Sequence, residues 1–233
     1  MVLRRYFDNC SLSVDKVSFS IVIIGNATKK EFFEALTNLG FECKRDYRIK
    51  NNKKKYKRRR KYIVENSVII FTYQRRNDAS FLPDIWCVYQ DPSRPVLNLL
   101  DSLCNSLGFV TKVSQVELAI DFPYTRKLKR FFNKYLYLKF NRGNPCVVGK
   151  GDKKSCYSGN KAKNSKTTIV YQKIINGTNH LRLELILNRR IIKRLNLDLR
   201  MEVVNNLDLS QFVCFRKFSH ILSKFFNWGC DAF

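Results

Sequence analysis

The dipeptide Asn176-Gly177 separates two short runs rich in β-branched and apolar residues, Thr167–Ile175 and His180–Leu187. Asn-Gly is the preferred pair for a two-residue hairpin turn, because both central residues of that turn need a positive φ. We therefore expect the two runs to pair as antiparallel strands. Any fold of this chain has to accommodate that hairpin.

Other runs of alternating or continuous apolar residues predict strands at 14–24, 62–73, 85–90 and 113–122. The lysine-rich stretch 44–61 is expected to form a hairpin with a charged tip, and 141–166 a loop region. Periodicity and capping residues, such as Thr28 with Glu31 three positions later, predict helices. These helices are expected at 29–39, 95–107, 125–138, 188–195 and 209–228.

Strands and helices do not alternate regularly in this order, so a doubly wound fold is not expected. We predict an α+β fold, with one largely antiparallel central sheet and helices packed on it. The length of 233 residues suits a single domain. Within it we distinguish an N-terminal half at 1–110, a candidate catalytic half at 111–200 and a C-terminal helix in 201–233.

The chain has a formal charge of +25, and the excess is concentrated in two blocks. Residues 44–62 carry twelve bases and one acid, net +11, and residues 123–200 carry twenty bases and three acids, net +17. Clustered positive charge is typical of a surface that binds a polyanion, and nucleic acid is the leading candidate. Hydrophobic residues make up 45% of the chain, which argues against a disordered basic tail.

Eight cysteines occur without a Cys-x-x-Cys pair, and the closest two, Cys146 and Cys156, are ten residues apart. We interpret them as reduced cysteines of a reducing compartment, which favours the cytoplasm. Only His180 and His220 are present, so a zinc finger has no ligand set. No stretch of 18 apolar residues and no signal peptide is evident, so we expect no membrane association.

Several polar side chains are predicted to share one face of the sheet. Glu117 and Asp121 are four residues apart on one strand, and Arg182 and Glu184 alternate on another. Tyr171 and Lys173 alternate on the strand that pairs with the latter. From spacing alone, each of these residues also has a structural interpretation: a packed tyrosine, acids paired with arginine, and solvated bases.

Three motifs occur in a recognisable order: Gln115-Val116-Glu117 with Asp121, then Tyr171-Gln172-Lys173, then Arg182-Leu183-Glu184 before a predicted helix. In this order they resemble the rolling-circle replication initiators of filamentous phages and related plasmids, a divergent branch of the HUH-type nickases. Tyr157-Ser158-Gly159 resembles a further element of that family. Gln115 and Glu117 depart from the usual arginine and aspartate, and a His-hydrophobic-His motif is missing from the sequence.

The resemblance implies an HUH-nickase-like, ferredoxin/RRM-like architecture and a metal-dependent nicking reaction. Tyr171 would be the nucleophile, supported by Lys173, with Tyr157 as a second candidate. Mg²⁺ or Mn²⁺ would be held by Glu117, Asp121 and Glu184, because these ions prefer oxygen ligands, and His180 is a further candidate ligand. Arg182 and the basic residues of both blocks would bind DNA: Lys53, Lys54, Lys55, Lys57, Arg58, Arg59, Arg60, Lys61, Lys153 and Lys154.

The sequence thus predicts a replication initiator of a plasmid or phage that nicks one strand at an origin and leaves a 5′-phosphotyrosine and a free 3′-hydroxyl. Tyr56 and Tyr62 would stack on unpaired bases. No P-loop motif is present, so a host helicase would unwind the DNA for a host polymerase, in the cytoplasm of a bacterial or organellar host. The alternatives are a non-catalytic DNA- or RNA-binding protein and a relaxase or transposase with the same chemistry.

Overall fold

A computed structural model describes residues 10–24, 26–49, 58–65, 67–73, 84–138, 146–148, 155–160, 165–189, 192 and 213–215. These residues belong to two compact units, one composed mainly of 14–116 and the other mainly of 117–187. No helix in these ranges is long and apolar enough to cross a membrane.

In the unit 14–116, the hydrogen-bonded strand order is β2-β3-β4-β5-β1-β6. The neighbours from β2 through β5 to β1 are antiparallel. The strands are β1 (Ser11–Ile23), β2 (Glu42–Arg48), β3 (Arg58–Val64), β4 (Ser67–Tyr73), β5 (Ile85–Gln90) and β6 (Phe109–Pro123). Two helices belong to the same unit, α1 (Lys29–Asn38) and α2 (Arg94–Ser106).

Helix α1 begins where the sequence predicts and ends one residue earlier, at Asn38. The Thr28 hydroxyl accepts a hydrogen bond from the Glu31 amide, and the Glu31 carboxylate accepts one from the Thr28 amide, which completes a capping box. Gly40 follows the helix with a φ of +84°, a conformation that glycine adopts without steric cost. The helix buries Phe32, Phe33 and Leu36, whereas its C-cap residue Leu39 is exposed.

The core of this unit contains a cluster of aromatic rings beneath α1. The ring of Phe33 lies 5.4 Å from Phe32, 5.9 Å from Phe71 and 4.8 Å from Tyr73, measured between centroids. Tyr62 packs edge-on against Phe71. These contacts join α1 to β3 and β4, so the charged side chains on the same strands are held in defined positions.

In the unit 117–187, the strand order is β6-β11-β10-β9-β8. The strands are β8 (Cys146–Val148), β9 (Ser155–Asn160), β10 (Ser165–Ile175) and β11 (Thr178–Asn188), and helix α3 (Arg126–Tyr135) follows β6. A separate pair joins β7 (Leu136–Leu138) to β12 (Val213–Phe215). Asn176 and Gly177 have φ values of 48° and 77°, and they connect β10 to β11 as an antiparallel hairpin, as predicted.

The predicted fold class is wrong. Most of the described residues lie in twelve strands, so the chain is largely a β protein rather than a helix-packed α+β fold of the ferredoxin-like type. The predicted strand 62–73 is two strands separated at Glu65, which has a φ of 54°. The expected loop 141–166 contributes β8 and β9. Strand formation depends on the pairing that neighbouring strands offer, which a weakly apolar segment does not reveal.

The two helices predicted nearest the C-terminus, 188–195 and 209–228, are described only in part. Val213–Phe215 lies inside the predicted helix 209–228, yet it forms β12. Asn188, expected to begin a helix through residue 195, is the last residue of β11, whereas Arg189 and Ile192, the other described residues of that range, are helical. The remainder of both predicted helices lies almost wholly outside the described residues.

Candidate active site and basic hairpin

The register of the β10–β11 hairpin brings the predicted site residues together. Tyr171 lies opposite Arg182, Lys173 opposite His180, and Ile169 opposite Glu184. Directly opposed residues of antiparallel strands share a face. Tyr171, Lys173, Arg182 and Glu184 therefore lie on one face, as the sequence predicted.

Tyr171 and Glu184 are diagonal neighbours on this face. The Tyr171 hydroxyl donates a hydrogen bond to Oε1 of Glu184. Glu184 is buried and Tyr171 is half-buried, so the carboxylate is held where it can receive the phenol proton. The sequence placed both residues on one face but assigned Glu184 to a metal and not to the tyrosine.

Arg182 forms a buried ion pair with Asp121 of β6. Nε of Arg182 donates to Oδ1 of Asp121 at 2.7 Å, and Nη2 donates to Oδ2 at 2.6 Å. Both residues are 5% exposed, and this fork arrangement matches the planar guanidinium to the carboxylate. Asp121 is therefore paired with an arginine, as the structural interpretation of these acids expected. Phosphate binding by Arg182 stays a prediction.

The three acids predicted to hold Mg²⁺ or Mn²⁺ are Glu117, Asp121 and Glu184. Both oxygens of Asp121 accept from Arg182, and Glu184 accepts from Tyr171. Glu117 is buried on β6. In the part of the chain that the structure describes, no three His, Cys, Asp or Glu side chains are grouped so that they could hold a metal ion. The described arrangement of these acids does not fit the predicted metal site.

Three other residues predicted for the active site lie in the described part of the chain: His180, Lys173 and Tyr157. Nδ1 of His180 lies 3.0 Å from the backbone oxygen of Thr178, and the Lys173 side chain is half-buried. Tyr157 lies on β9 opposite Ile169. The remaining predicted DNA-binding residues outside the described ranges are Lys53, Lys54, Lys55, Lys57, Lys153 and Lys154.

The first basic block forms the predicted hairpin, with β2 and β3 as its arms. Nη2 of Arg58 donates to Oδ1 of Asp46 at 2.8 Å, and Nε of Arg60 donates to Oδ2 at 2.9 Å. One carboxylate therefore serves two guanidinium groups. Arg59 lies on the opposite face of β3, where it donates to the Tyr47 hydroxyl at 3.4 Å.

Asp46 is ionised in this setting. Burial by itself would raise the pKa of Asp46, but the hydrogen bonds from Arg58 and Arg60 outweigh it and hold the pKa below its ordinary value. The described arms of the hairpin, 42–48 and 58–64, carry seven bases and two acids, net +5. The hairpin keeps an excess of positive charge after its internal pairing.

The prediction that Tyr62 stacks on bases is wrong. Tyr62 is 1% exposed and packs in the aromatic core, and burial raises its pKa to about 12. Tyr56 lies outside the described residues. Sequence reasoning also missed Lys29, Lys30 and Tyr73, which line a groove beside the hairpin. The one available signal was the Lys-Lys pair directly after the helix cap.

A comparison with known proteins adds no further residues to this site. No protein-family model matches the chain, and no curated protein matches it.

Proposed function

We propose that the chain binds DNA at a replication origin of a plasmid or phage and nicks one strand with Tyr171 as the nucleophile. The proposal is carried by one observation, the hydrogen bond from the Tyr171 hydroxyl to the buried Glu184 carboxylate. A tyrosine whose proton already points at a base is poised to become a nucleophile. The order of the three sequence motifs supports the same residue.

The proposed step balances as a transesterification. Oη of Tyr171 forms a bond to phosphorus while its proton passes to Glu184, and the bond from phosphorus to the 3′ oxygen breaks. The 3′ oxygen takes a proton from water and is left as a free hydroxyl, and Glu184 returns the proton it received to that water, so the protons balance. Because the phosphodiester energy is retained in the tyrosyl link, the strand can later be rejoined without ATP.

The ion pair of Arg182 with Asp121 would position this chemistry. It fixes the middle of β11 against β6, two residues from Glu184. The excess positive charge of the β2–β3 hairpin would hold the strand by its phosphates, which makes the binding strongly dependent on salt. A requirement for Mg²⁺ or Mn²⁺ stays a prediction.

The test is covalent trapping on a labelled single-stranded oligonucleotide that contains the origin of the replicon that encodes the chain. We expect the wild-type chain to form an adduct that survives denaturing electrophoresis, and Tyr171→Phe to form none. Tyr157→Phe is the matched control and should react like the wild type. Reactions with Mn²⁺ and with a chelator test the metal requirement. An adduct in Tyr171→Phe that Tyr157→Phe lacks would assign the nucleophile to Tyr157.

A non-catalytic nucleic-acid-binding protein is the second candidate. It is favoured by the net +5 of the β2–β3 arms together with the poor fit of Glu117, Asp121 and Glu184 to a metal. Salt-sensitive binding with no adduct on either strand of the replicon would establish this function. A relaxase or transposase with the same chemistry would form the adduct on a mobilisation or transposon-end sequence instead.

A further inference from the structure

A groove of about 590 Å³ lies beside the β2–β3 hairpin, within the unit 14–116. Its walls are α1 on one side and strands β3 and β4 on the other. A volume between about 300 and 1,000 Å³ is typical of sites for small organic ligands. The side chains that matter for binding are four bases and two aromatic rings: Lys29, Lys30, Arg58, Arg60, Phe33 and Tyr73.

The charge of the groove is only partly compensated. Nζ of Lys29 lies 3.4 Å from Asp84, and Nζ of Lys30 lies 3.6 Å from Glu34. Arg58 and Arg60 share the single carboxylate of Asp46, so one of the two guanidinium charges is left without a counter-charge there. The Lys30 side chain is 83% exposed, so its pairing with Glu34 is weak in water.

The Arg60 guanidinium is held by aromatic rings. Its central carbon lies 4.4 Å from the centroid of the Phe33 ring and 5.9 Å from that of Tyr73. Nε of the same group donates to Asp46. A guanidinium fixed in this way offers hydrogen-bond donors in a set plane, and arginine is the base that proteins favour for phosphates and nucleobases.

The anion preference of the groove comes from side chains and not from the helix. The amides of Thr28 and Glu31 at the start of α1 are engaged by the capping box, which already places the Glu31 carboxylate at the helix N-terminus. A phosphate would therefore bind the lysines and arginines of the lining. This combination of separate basic groups beside a supported guanidinium plane suits a ligand that carries both an anion and a flat ring.

We propose that this groove binds one unpaired nucleotide of a single-stranded nucleic acid, with the phosphate at Arg58 and Lys30 and the base beside Arg60. The inference rests on the proposed function only in taking nucleic acid as the ligand, and it does not require nicking. It places the nucleic-acid strand beside α1, β3 and β4, whereas the sequence pointed mainly to the tip of the β2–β3 hairpin.

The test measures binding of a fluorescent 12-nucleotide single strand by anisotropy over a range of salt concentrations. We expect the double variant Arg58→Ala, Lys30→Ala to bind at least about tenfold more weakly and to lower the salt slope by about 1 to 2. The control is Arg94→Ala, Lys112→Ala, which removes the same charge from exposed residues of the same unit that lie outside the groove and outside both basic blocks. It should lose no more than about threefold. Equal losses in the two double variants would overturn the proposal.

Two further arms test the ligand class. A duplex of the same sequence should bind with little sensitivity to the groove variant, and equal sensitivity would show that the groove does not select an unpaired nucleotide. Free deoxythymidine monophosphate should compete only at millimolar concentration. Competition as strong as that of the oligonucleotide would assign the groove to a free nucleotide and overturn the proposal.

Two single variants guard against unfolding as the cause of lost binding. Lys30→Glu changes a highly exposed side chain. Arg58→Lys keeps the positive charge but removes the planar set of donors of the guanidinium group. We expect both variants to bind more weakly, with an unchanged thermal transition. Normal binding by both would contradict the proposal. If the wild type binds no nucleic acid, the proposed function and the groove both fail. If the wild type binds nucleic acid but the groove variants bind it as tightly as the control variant does, the proposal for the groove alone fails.

Discussion

Two of the antiparallel hairpins among the described strands, β10–β11 and β2–β3, use charge in opposite ways. In β10–β11, the charged residues Arg182 and Glu184 are buried, and each has a defined partner. In β2–β3, all seven side chains of β2 are exposed, and two arginines share one aspartate. Charged side chains that are buried and fully paired are oriented for chemistry. Exposed side chains with a net positive charge attract an anion. The proposed division into nicking and binding follows this difference.

The largest expected effect is on stability, from removing the buried partner in β6. Asp121→Ala should lower the free energy of unfolding by about 3–5 kcal/mol, because it leaves the Arg182 charge buried without its carboxylate. Urea unfolding measures this, with Asp46→Ala as the exposed counterpart, where we expect less than about 1 kcal/mol. Similar costs at the two positions would break the contrast between the hairpins.

The next effect is on the proposed reaction. Glu184→Gln removes the base that would take the Tyr171 proton, so the rate of adduct formation should fall by about 10²- to 10⁴-fold. Oligonucleotide affinity should stay within about twofold of wild type, because Gln keeps the shape of the side chain and Glu184 is not one of the predicted DNA-binding residues. Single-turnover trapping and anisotropy measure the two quantities separately. A parallel loss of binding and rate would indicate a structural role for Glu184.

A smaller effect is expected at the turn of β10–β11. Gly177 has a φ of 77°, with open space around a side chain there, so Gly177→Ala brings backbone strain without a clash. The expected loss is about 1–2 kcal/mol in the free energy of unfolding. Thermal unfolding measures it, and an unchanged transition would show that the turn does not fix the register.

The smallest effect concerns pH and the exposed hairpin. The pKa of Asp46 is lowered in the fold, so its contribution is complete above the unfolded value of about 3.9 and is lost as pH falls through the folded pKa. Asp46 remains partly exposed, so we expect less than about 1 kcal/mol. Comparing wild type with Asp46→Asn in urea at about pH 6 and pH 3 should show a smaller gap at the lower pH. A constant gap would contradict the pairing.

The features that the sequence predicted well are local ones. The Thr28–Glu31 cap and the Asn176-Gly177 turn depend on residues a few positions apart, and both form as expected. The shared face of Tyr171 and Arg182 followed from the turn, because a two-residue loop fixes the register. Alternation on a strand then placed Glu184 on that face as well.

The features that could not be predicted depend on distant partners. No pattern in the sequence pairs Arg182 with Asp121, which are 61 residues apart, or brings Arg58 and Arg60 to one aspartate. The burial of Tyr62 follows from the ring cluster under α1 and not from its basic neighbours. The fold class was missed for the same reason, since β8 and β9 are strands through their pairing with each other and with β10.

The composition of β2 also bears on how the protein behaves at high concentration. Among the described strands, β2 is the terminal member of its order, and its seven residues, Glu42–Arg48, include five charged ones. Charged side chains on a terminal strand discourage another chain from adding to it and so limit aggregation. Salt screens such repulsion over distances of about 8 Å at physiological ionic strength. Concentrated salt that releases a nucleic acid would therefore also leave this strand less protected against self-association.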